Sequence, residues 1–463
     1  SYGTAGGGAA NHAIDPLDAV YLGACVDFET DGQPNAAATG DDLSAGSDRV
    51  GLCLDDEDGV SFPGPIAACS NAAVTVTASA LARLDAFVDF NADGDFGDPG
   101  EQIFAGQTLA AGANALSFAV PCNAAAAVTY SRFRLTRSGT PGVLGPTGDA
   151  DSGEVEDYRV TVLGNDLGDA PAPFATLVAG NGARHAIDPA GSLRLGACVD
   201  TEGDGQPNAG ATGDDLSTGS ATVGTCALAG DDEDGVSFQP LVACRNSTLT
   251  ISASAAGRVD AWADLNRDGD WDDPGERIAN GLAVLAGANP LNFAVPCNAS
   301  RGLANFRFRL SSAGVADYTG AAADGEVEDY QAEILAFDLG DLPDGAAGIG
   351  ANNYRTLLRG PGDNGPQHRI VNGLFLGAGV DNEADGQPAA TADGDDLAGA
   401  TPDDEDGITV ADLNLTTGLP ATVRALVTNT TGAGARLCGF ADLNADGDFL
   451  DANENAFVDV ASG

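Results

Sequence analysis

Apolar and polar residues alternate along many short segments of the chain, and this period of two predicts β-strands with one buried face. The pattern is clear in Val74-Thr75-Val76-Thr77, Leu249-Thr250-Ile251-Ser252 and Tyr158-Arg159-Val160-Thr161-Val162. Gly- and Asp-rich turns separate these segments, and no window sustains the period of a helix. The chain is therefore predicted to be all-β, built from tandem β-sandwich domains that are immunoglobulin-like or jelly-roll-like.

The same segments return in the same order along the 463 residues. The run Leu22 to Asp27 recurs as Leu195 to Asp200 and as Leu376 to Asp381, which gives a period of roughly 175 to 180 residues. The repeated Asp-Leu-Gly-Asp at Asp166 and Asp338 marks short junctions rather than flexible linkers. We therefore divide the chain into unit 1 (1–165), unit 2 (166–337) and unit 3 (338–463).

Unit 3 stops at Gly463, before the counterparts of two segments that are present in unit 2. These segments are Phe306 to Leu310 and Gly325 to Glu328. The sheet of unit 3 is therefore expected to be incomplete at its C-terminal end. An incomplete sandwich exposes backbone edges and an apolar face, so we expect either continuation of the chain or association with a neighbour.

The net charge of the chain excludes some classes of binding partner. There are 69 acidic against 20 basic residues, and the net charge of −49 argues against nucleic acids and anionic membranes. No segment approaches the ~20 apolar residues of a membrane span. Bound divalent cations would neutralise the excess acid. Adaptation to high salt is the alternative, although it predicts scattered acids and these are clustered.

One acidic segment occurs in all three units with the same spacing. It has the form Asp-x-Asn-x-Asp-Gly-Asp, followed by a further Asp and a closing Glu, and this arrangement can supply the six to eight oxygens that calcium binds. The opening resembles the calcium loops of EF-hands, dockerins and thrombospondin-type repeats, but the closing Glu stands at the thirteenth position. A solvated turn is the alternative, and three identical copies favour a Ca²⁺ loop between strands. The predicted ligands are Asp89, Asn91, Asp93, Asp95, Asp98 and Glu101; Asp264, Asn266, Asp268, Asp270, Asp273 and Glu276; and Asp442, Asn444, Asp446, Asp448, Asp451 and Glu454.

Two further acidic groups also repeat, and we predict that they share one or more additional cations, since adjacent like charges are unfavourable without a counter-ion. A charged loop that serves solubility is the alternative. The second group comprises Asp27, Glu29 and Asp31; Asp200, Glu202 and Asp204; and Asp381, Glu383 and Asp385, each followed by an acid pair (41–42, 214–215, 395–396). The third group comprises residues 55–59, 231–235 and 403–407.

A fourth motif opens the last predicted strand of units 1 and 2. It reads Gly153-Glu154-Val155-Glu156-Asp157-Tyr158 and returns at residues 325–330. Here the chain resembles the GEVED-domain family of large secreted and surface-attached bacterial proteins, nearly from end to end of each unit. The resemblance implies an exported β-sandwich and no particular chemistry. For the glutamates themselves, an exposed strand face and a metal-binding role both remain open.

The cysteines predict disulfides rather than a zinc site. Unit 3 lacks the counterparts of both Cys25 and Cys53, and this joint loss is expected of a bonded pair. We therefore pair Cys25 with Cys53 and Cys198 with Cys226. By elimination, Cys69 pairs with Cys122 and Cys244 with Cys297. Zinc is less favoured because no Cys-x-x-Cys pair occurs. Cys438 is left over, to pair beyond Gly463 or with another chain.

No catalytic set is predicted. His12, His185 and His368 occupy one equivalent position per unit, and nothing marks a nucleophile beside them, so they are interpreted as structural. We therefore predict a non-enzymatic, extracellular or cell-surface protein that binds calcium and serves a structural or adhesive role. It would be a subunit of a filament, sheath or adhesin stalk that associates head to tail. The alternatives are a calcium-dependent module that binds a surface glycan or protein, and an accessory region of a secreted hydrolase.

Overall fold

Short alternating segments become strands in a computed structural model of the chain. It describes residues 2, 9–17, 19–40, 49–53, 55–139, 142–188, 190–191, 193–213, 222–225, 232–394, 405–408 and 415–463. Besides strands, this part of the chain contains two 3-10 turns, at Val178–Gly180 and Glu405–Gly407, and no α-helix. None of its helices is long and apolar enough to cross a membrane.

Each of the first two units has twelve strands among its described residues, in the same order. Those of unit 1 are β1 (Ala10–His12), β2 (Cys25–Asp27), β3 (Arg49–Gly51), β4 (Val60–Ser61), β5 (Ile66–Ala67), β6 (Asn71–Ala78), β7 (Ala82–Val88), β8 (Gln102–Leu109), β9 (Gly112–Ala119), β10 (Ala127–Arg137), β11 (Gly148–Ala150) and β12 (Glu154–Leu167).

Unit 2 repeats this series with closely similar lengths. Its strands are β13 (Arg184–Ile187), β14 (Cys198–Val199), β15 (Val223–Gly224), β16 (Val236–Phe238), β17 (Leu241–Val242), β18 (Asn246–Ala253), β19 (Gly257–Ala263), β20 (Arg277–Val284), β21 (Gly287–Ala294), β22 (Gly302–Ser311), β23 (Ala321–Ala322) and β24 (Glu326–Leu335).

The longer strands of each unit form two main sheets that pack as a sandwich. The described short strands also form separate pairs, β1 with β11, β2 with β3 and β14 with β15, and the larger sheet of unit 1 continues through β12 into β13 and β23. In unit 1 the larger sheet has the order β5-β12-β10-β7-β8 and the smaller has the order β4-β6-β9. Unit 2 repeats both orders, as β17-β24-β22-β19-β20 and β16-β18-β21. The predicted all-β, sandwich-like fold and the tandem repetition are thus confirmed.

The core of each sandwich lies between its two sheets because alternate side chains of both sheets point inward. In unit 1, Val74 and Val76 from β6 pack with Leu84 from β7 and Phe133 from β10. In unit 2 the corresponding cluster includes Ile251, Val259 and Phe308. A third, smaller cluster joins Phe174, shortly after the first junction, to Trp262 and Trp271 of unit 2.

Unit 3 contributes six described strands, which pair two by two. Its hairpin of β29 and β30 corresponds to β7 and β8 of unit 1, but its apolar side chains are exposed. Phe440 and Phe457 are 59% and 66% exposed, whereas their counterparts Phe87 and Phe104 are 2% and 9% exposed. The strands are β25 (Phe337–Leu339), β26 (Gln367–Arg369), β27 (Leu374–Leu376), β28 (Val427–Asn429), β29 (Ala435–Phe440) and β30 (Asn455–Val460).

One continuous strand crosses the first junction. Strand β12 pairs with β10 in unit 1 up to Val162, and from Gly164 to Leu167 it pairs with β13 of unit 2. This register places Asp166 opposite His185. At the second junction β25 pairs with β26 in the same way, which places Asp338 opposite His368.

Three of the four predicted disulfides lie within the described residues. They are Cys25–Cys53, Cys69–Cys122 and Cys244–Cys297, with Cα–Cα separations of 5.6, 4.1 and 4.1 Å. Cys198 is disulfide-bonded, while its predicted partner Cys226 lies outside the described residues. Cys438 is a free, exposed thiol.

Replacing Cys69 and Cys122 together by serine should lower the free energy of unfolding of unit 1 by about 2–4 kcal/mol. The bond closes a 53-residue separation, and its loss gives the unfolded chain more conformations. Pulse proteolysis across a urea series, with unit 1 peptides quantified by mass spectrometry, measures this change. The control is Cys438→Ser, which breaks no bond. Equal unfolding midpoints for the control and the double variant would contradict the prediction.

Candidate cation-binding sites

The repeated acidic loop connects equivalent neighbouring strands in all three units. Loop 1 (89–101) follows β7, loop 2 (264–276) follows β19 and loop 3 (442–454) follows β29. The Gly at the sixth position has a positive φ of 94–95° in every copy, a conformation that favours glycine. The structure therefore places the loops between strands, as predicted from their flanks.

Side-chain oxygens hold the turn of each loop together from inside. In loop 1, Asn91 Oδ1 accepts a hydrogen bond from the Asp93 amide at 3.0 Å, and Asp93 Oδ1 accepts one from the Asp95 amide at 3.1 Å. The Asn91 amide nitrogen donates to Asp93 and Asp98. Loops 2 and 3 repeat this pattern. Carboxylate oxygens of Asp93, Asp95 and Asp98 lie within 4.8 Å of one another.

The first and last acids of loops 1 and 2 differ from the middle ones because they are buried, whereas in loop 3 the closing Glu454 is buried and the first acid, Asp442, is partly exposed. Asp89 and Asp264 are 0% and 2% exposed, and the Oδ1 atom of each is buried without a hydrogen-bond partner among the described residues. The closing Glu276 accepts hydrogen bonds from the amides of Leu265 and Asp273. Burial raises the pKa of Glu276 to about 7 and also raises the pKa of Asp264. A bound cation would compensate for this burial of carboxylates.

An aromatic residue near the start of each unit packs on its loop, and the sequence analysis missed it. Phe174 stacks on Trp271 of loop 2 with ring centroids 4.2 Å apart, and Tyr354 stacks on Phe449 of loop 3 at 5.4 Å. Tyr2 contacts Phe96 of loop 1, and its hydroxyl donates to Asp89. The signal was present as an aromatic residue two positions before a Thr in each unit.

The second and third acidic groups come together in units 1 and 2. Carboxylate oxygens of Asp27, Glu29 and Asp56 lie within 4.8 Å of one another, and so do those of Asp200, Glu202 and Asp232. In unit 1 these acids line a cavity of about 760 Å³ that also includes Glu154.

The third acid of the second group has a different environment. Asp31, Asp204 and Asp385 each accept a hydrogen bond from the amide of the following Gly. Asp204 and Asp385 also accept from Val178 and Leu358, respectively. They therefore hold backbone turns. Nine of the predicted acids lie outside the described residues: Asp41, Asp42, Asp214, Asp215, Asp231, Asp395, Asp396, Asp403 and Asp404.

The glutamates of the fourth motif are buried, so the exposed-face interpretation is wrong. Glu154, Glu156, Glu326 and Glu328 are each at most 4% exposed. Glu156 accepts hydrogen bonds from the Gly59 amide at 2.9 Å and from the Tyr158 hydroxyl at 3.0 Å. Burial raises the pKa of all four carboxyl groups well above the usual range. The motif therefore brings two acidic side chains into the interior of each unit.

The remaining polar residues of this region support the strands. In unit 2, Asp329 of the fourth motif forms a bidentate ion pair with Arg307. Both N–O distances are 2.7 Å, and both side chains are fully buried. Arg309 Nε donates to His185 Nε2 at 3.0 Å, and His185 Nδ1 lies 2.8 Å from the Asp324 carbonyl oxygen. Burial and Arg309 lower the pKa of His185. The histidine is thus neutral and structural, as is the equivalent His12.

Comparison with known proteins identifies part of unit 1 and part of unit 2. Residues 83–161 and 258–333 match the family profile of the GEVED domain, which confirms the resemblance inferred from the motif. The matches run from β7 to β12 and from β19 to β24, so they are narrower than the nearly end-to-end similarity that we expected. Among curated proteins, none matches the chain.

Two solved structures show remote similarity. The chain aligns with the native conformation of E. coli alpha-2-macroglobulin at 11% identity and a TM-score of 0.15, covering 65% of this chain and 26% of that one. It aligns with Salmonella alpha-2-macroglobulin reacted with methylamine at 12% identity and a TM-score of 0.15, covering 87% of this chain and 30% of that one. The chain thus spans less than a third of either protein, and scores this low support no structural argument.

Proposed function

We propose that this chain, which matches the GEVED domain in two successive units, is an extracellular calcium-binding protein with a structural or adhesive role. It acts as a subunit of a surface filament, sheath or adhesin stalk. The observation that carries the proposal is the acidic loop, which is repeated three times with one pattern of hydrogen bonds. A binding loop that is repeated in every unit is more typical of a structural protein built from similar units than of an enzyme with a single active site.

Calcium is the ion that suits these loops best. The donors are carboxylate and amide oxygens, with no sulfur or imidazole among the predicted ligands, and hard oxygen donors select calcium or magnesium. Calcium accepts flexible shells of six to eight oxygens, whereas magnesium retains several waters. The buried Oδ1 atoms of Asp89 and Asp264 favour an ion that approaches the loop from its inner side.

An extracellular location is supported by the disulfides. Bonds such as Cys69–Cys122 and Cys244–Cys297 persist in oxidising surroundings and are rare in a reducing cytosol. The strongly acidic surface also suits an environment in which calcium is abundant.

Self-association is supported by features of units 1 and 3. Phe440 and Phe457 lie on the same face of the β29–β30 hairpin and are exposed, and exposed apolar faces mark interaction surfaces. In unit 1, β1 pairs with β11 alone among the described strands. The corresponding strand of unit 2, β13, also receives β12 from the preceding unit. Head-to-tail association would place a strand of one copy at β1 of the next.

Calcium should convert the purified chain from monomers into head-to-tail assemblies. Sedimentation velocity and negative-stain imaging in calcium and in chelator measure this change. A triple variant, Asp93→Asn, Asp268→Asn and Asp446→Asn, should remain monomeric in calcium because each loop loses a central carboxylate. Asp188→Asn removes an exposed carboxylate that lies outside the loops and outside the β1–β11 pair, and it serves as the control. A monodisperse monomer in both conditions would contradict the proposed assembly.

A further inference from the structure

The end of strand β12 carries Asp166 into a group of carboxylates that belong to unit 2. The partners are Asp232, which precedes β16, and Glu326, the first residue of β24. Asp166, Asp232 and Glu326 are 2%, 4% and 1% exposed. They are separated by 66 to 160 positions in the chain, and the strand pairing at the junction brings them together.

Their carboxylates are oriented by backbone amides. The Val327 amide donates to Asp166 Oδ2 at 2.6 Å, the Asp200 amide donates to Asp232 Oδ2 at 2.9 Å, and the Leu195 amide donates to Glu326. One oxygen from each of Asp166, Asp232 and Glu326 lies within 4.8 Å of the others. Calcium binds its oxygens at about 2.3–2.6 Å, so oxygens of one shell lie no more than about 5 Å apart.

Two atoms of this region are buried without a partner. Asp232 Oδ1 and Glu328 Oε2 accept no hydrogen bond from any described residue, and their side chains are 4% and 1% exposed. Buried polar atoms in native proteins are nearly always satisfied, so these two point to a missing ligand.

Within the described part of the chain, no basic side chain forms an ion pair with Asp166, Asp232 or Glu326. Three buried negative charges at this separation repel one another strongly, and either protons or a cation must compensate them. Asp200 and Glu202 also approach Asp232, which adds further oxygens on the same side.

We propose that Asp166, Asp232 and Glu326 bind a calcium ion at the junction, where it ties the end of β12, the strand that begins in unit 1, to β24 and the segment before β16 in unit 2. This inference rests on the proposed calcium-binding function and adds a second kind of site, which depends on the strand that crosses from unit 1. Asp200, Glu202 and Glu328 complete its surroundings. Occupancy fixes the end of β12 against β24 and thereby sets the relative orientation of the two units.

The second junction repeats part of this construction. The Leu167 amide donates to Glu202 Oε2 at 3.0 Å, and at the next junction the Leu339 amide donates to Glu383 Oε2 at 2.8 Å. Glu383 Oε1 is again buried without a partner among the described residues. At two successive junctions, equivalent glutamates, Glu202 and Glu383, therefore bind the backbone of the strand that comes from the preceding unit.

Calcium titration of the decalcified full chain by isothermal calorimetry in low salt tests the proposal. Asp166→Asn and Glu326→Gln should each bind one calcium ion fewer than the wild type. Asp268→Asn, in loop 2, should lose a different ion, so that the Asp166→Asn/Asp268→Asn double variant binds two fewer. Asp188→Asn, the exposed control, should bind the wild-type number.

A second measurement separates binding from folding. Small-angle scattering of the wild type should give a broader distribution of inter-unit distances in chelator than in calcium. The Asp166→Asn variant should keep the broad distribution of distances in calcium. The distribution of the Asp268→Asn variant should become narrower in calcium, as that of the wild type does. Unchanged tryptophan fluorescence would establish that unit 2 of the Asp166→Asn variant is folded.

The outcomes distinguish this proposal from the proposed function. If Asp268→Asn loses an ion while Asp166→Asn and Glu326→Gln bind the wild-type number with equal affinity, the junction carboxylates hold protons, and this proposal alone fails. If the wild-type chain binds no calcium, both fail. Loss of one ion in each junction variant, with a broad scattering distribution, supports the joined units.

Discussion

Removal of calcium should lower the melting temperature of unit 2 by about 5–10 °C for each site that is emptied. Extracellular calcium modules often have dissociation constants of about 10⁻⁴–10⁻³ M, and ligand at 100 times the dissociation constant stabilises a fold by about 2.7 kcal/mol. In a domain of this size, 1 kcal/mol shifts the midpoint by about 2–4 °C. The measurement is a thermal melt in 10 mM calcium and in chelator.

Tryptophan fluorescence makes this melt specific to one unit. The chain has two tryptophans, Trp262 and Trp271, and both are buried beside loop 2. A signal from unit 2 is therefore not mixed with the transitions of its neighbours.

The destabilisation in chelator should diminish as the pH is lowered from 7 to 5. Burial raises the pKa of both Asp232 and Glu276 to about 7, above the ordinary values of 3.8 and 4.5. Because the folded-state pKa is the higher one, the stabilisation by protons is complete below the ordinary value. It is lost as the pH rises through 7. Protons thus substitute in part for the removed cation.

Salt provides the control for the calcium melt. If the acidity reflects adaptation to high salt, sodium chloride at high concentration should restore the midpoint in chelator as fully as calcium does. Bound calcium predicts restoration by millimolar calcium, with little effect of sodium at the same ionic strength. An unchanged midpoint in low-salt chelator would contradict calcium stabilisation altogether.

Replacing Arg307 by methionine should destabilise unit 2 by about 3–5 kcal/mol, the usual cost of removing one partner of a buried ion pair. The variant leaves the Asp329 carboxylate buried without its bidentate partner, and both side chains are fully buried in the wild type. Asp329 also accepts a hydrogen bond from the Ala170 amide at the junction, so the effect should extend to the docking of that segment. Urea unfolding followed by tryptophan fluorescence measures the change.

An exposed pair of the same chemistry provides the matched control. Arg369 and Glu333 form an ion pair whose side chains are 50% and 49% exposed. Arg369→Met should change the stability of unit 2 by no more than about 1 kcal/mol because surface pairs contribute little. If Arg307→Met and Arg369→Met lowered the free energy of unfolding by the same amount, burial of the Arg307–Asp329 pair would make no difference to stability, and the prediction would be wrong.

Local patterns predicted the fold class, the repeats and the loops. The alternation in segments such as Val74 to Thr77 carries the strand signal, and the spacing from Asp89 to Glu101 predicts the turn of that loop. The Cys25–Cys53 disulfide followed from the joint absence of its counterparts in unit 3, and Cys69–Cys122 and Cys244–Cys297 followed by elimination. In each case the interacting residues were close in sequence or were linked by repetition.

Long-range strand pairing decided what the sequence could not predict. Glu326 appeared either exposed or metal-bound, since its burial depends on β24 packing between β22 and β17. The approach of Asp166 to Glu326 depends on a register between β12 and β13 that no local signal encodes. Tyr2 and Phe174 were missed because an isolated aromatic residue looks like any core residue until its loop partner is known.

The uninterrupted strand at the first junction has a mechanical consequence. Four residues of β12, Gly164 to Leu167, pair with unit 2 immediately after the strand leaves the sheet of unit 1, so the connection contains no slack chain to extend. A pull on the chain would pass along this backbone directly from one sheet to the next. To lengthen the junction, the pull must first shear the hydrogen bonds between β12 and β13. The junction would therefore resist extension under tension, and its first lengthening would require the rupture of the β12–β13 strand pair.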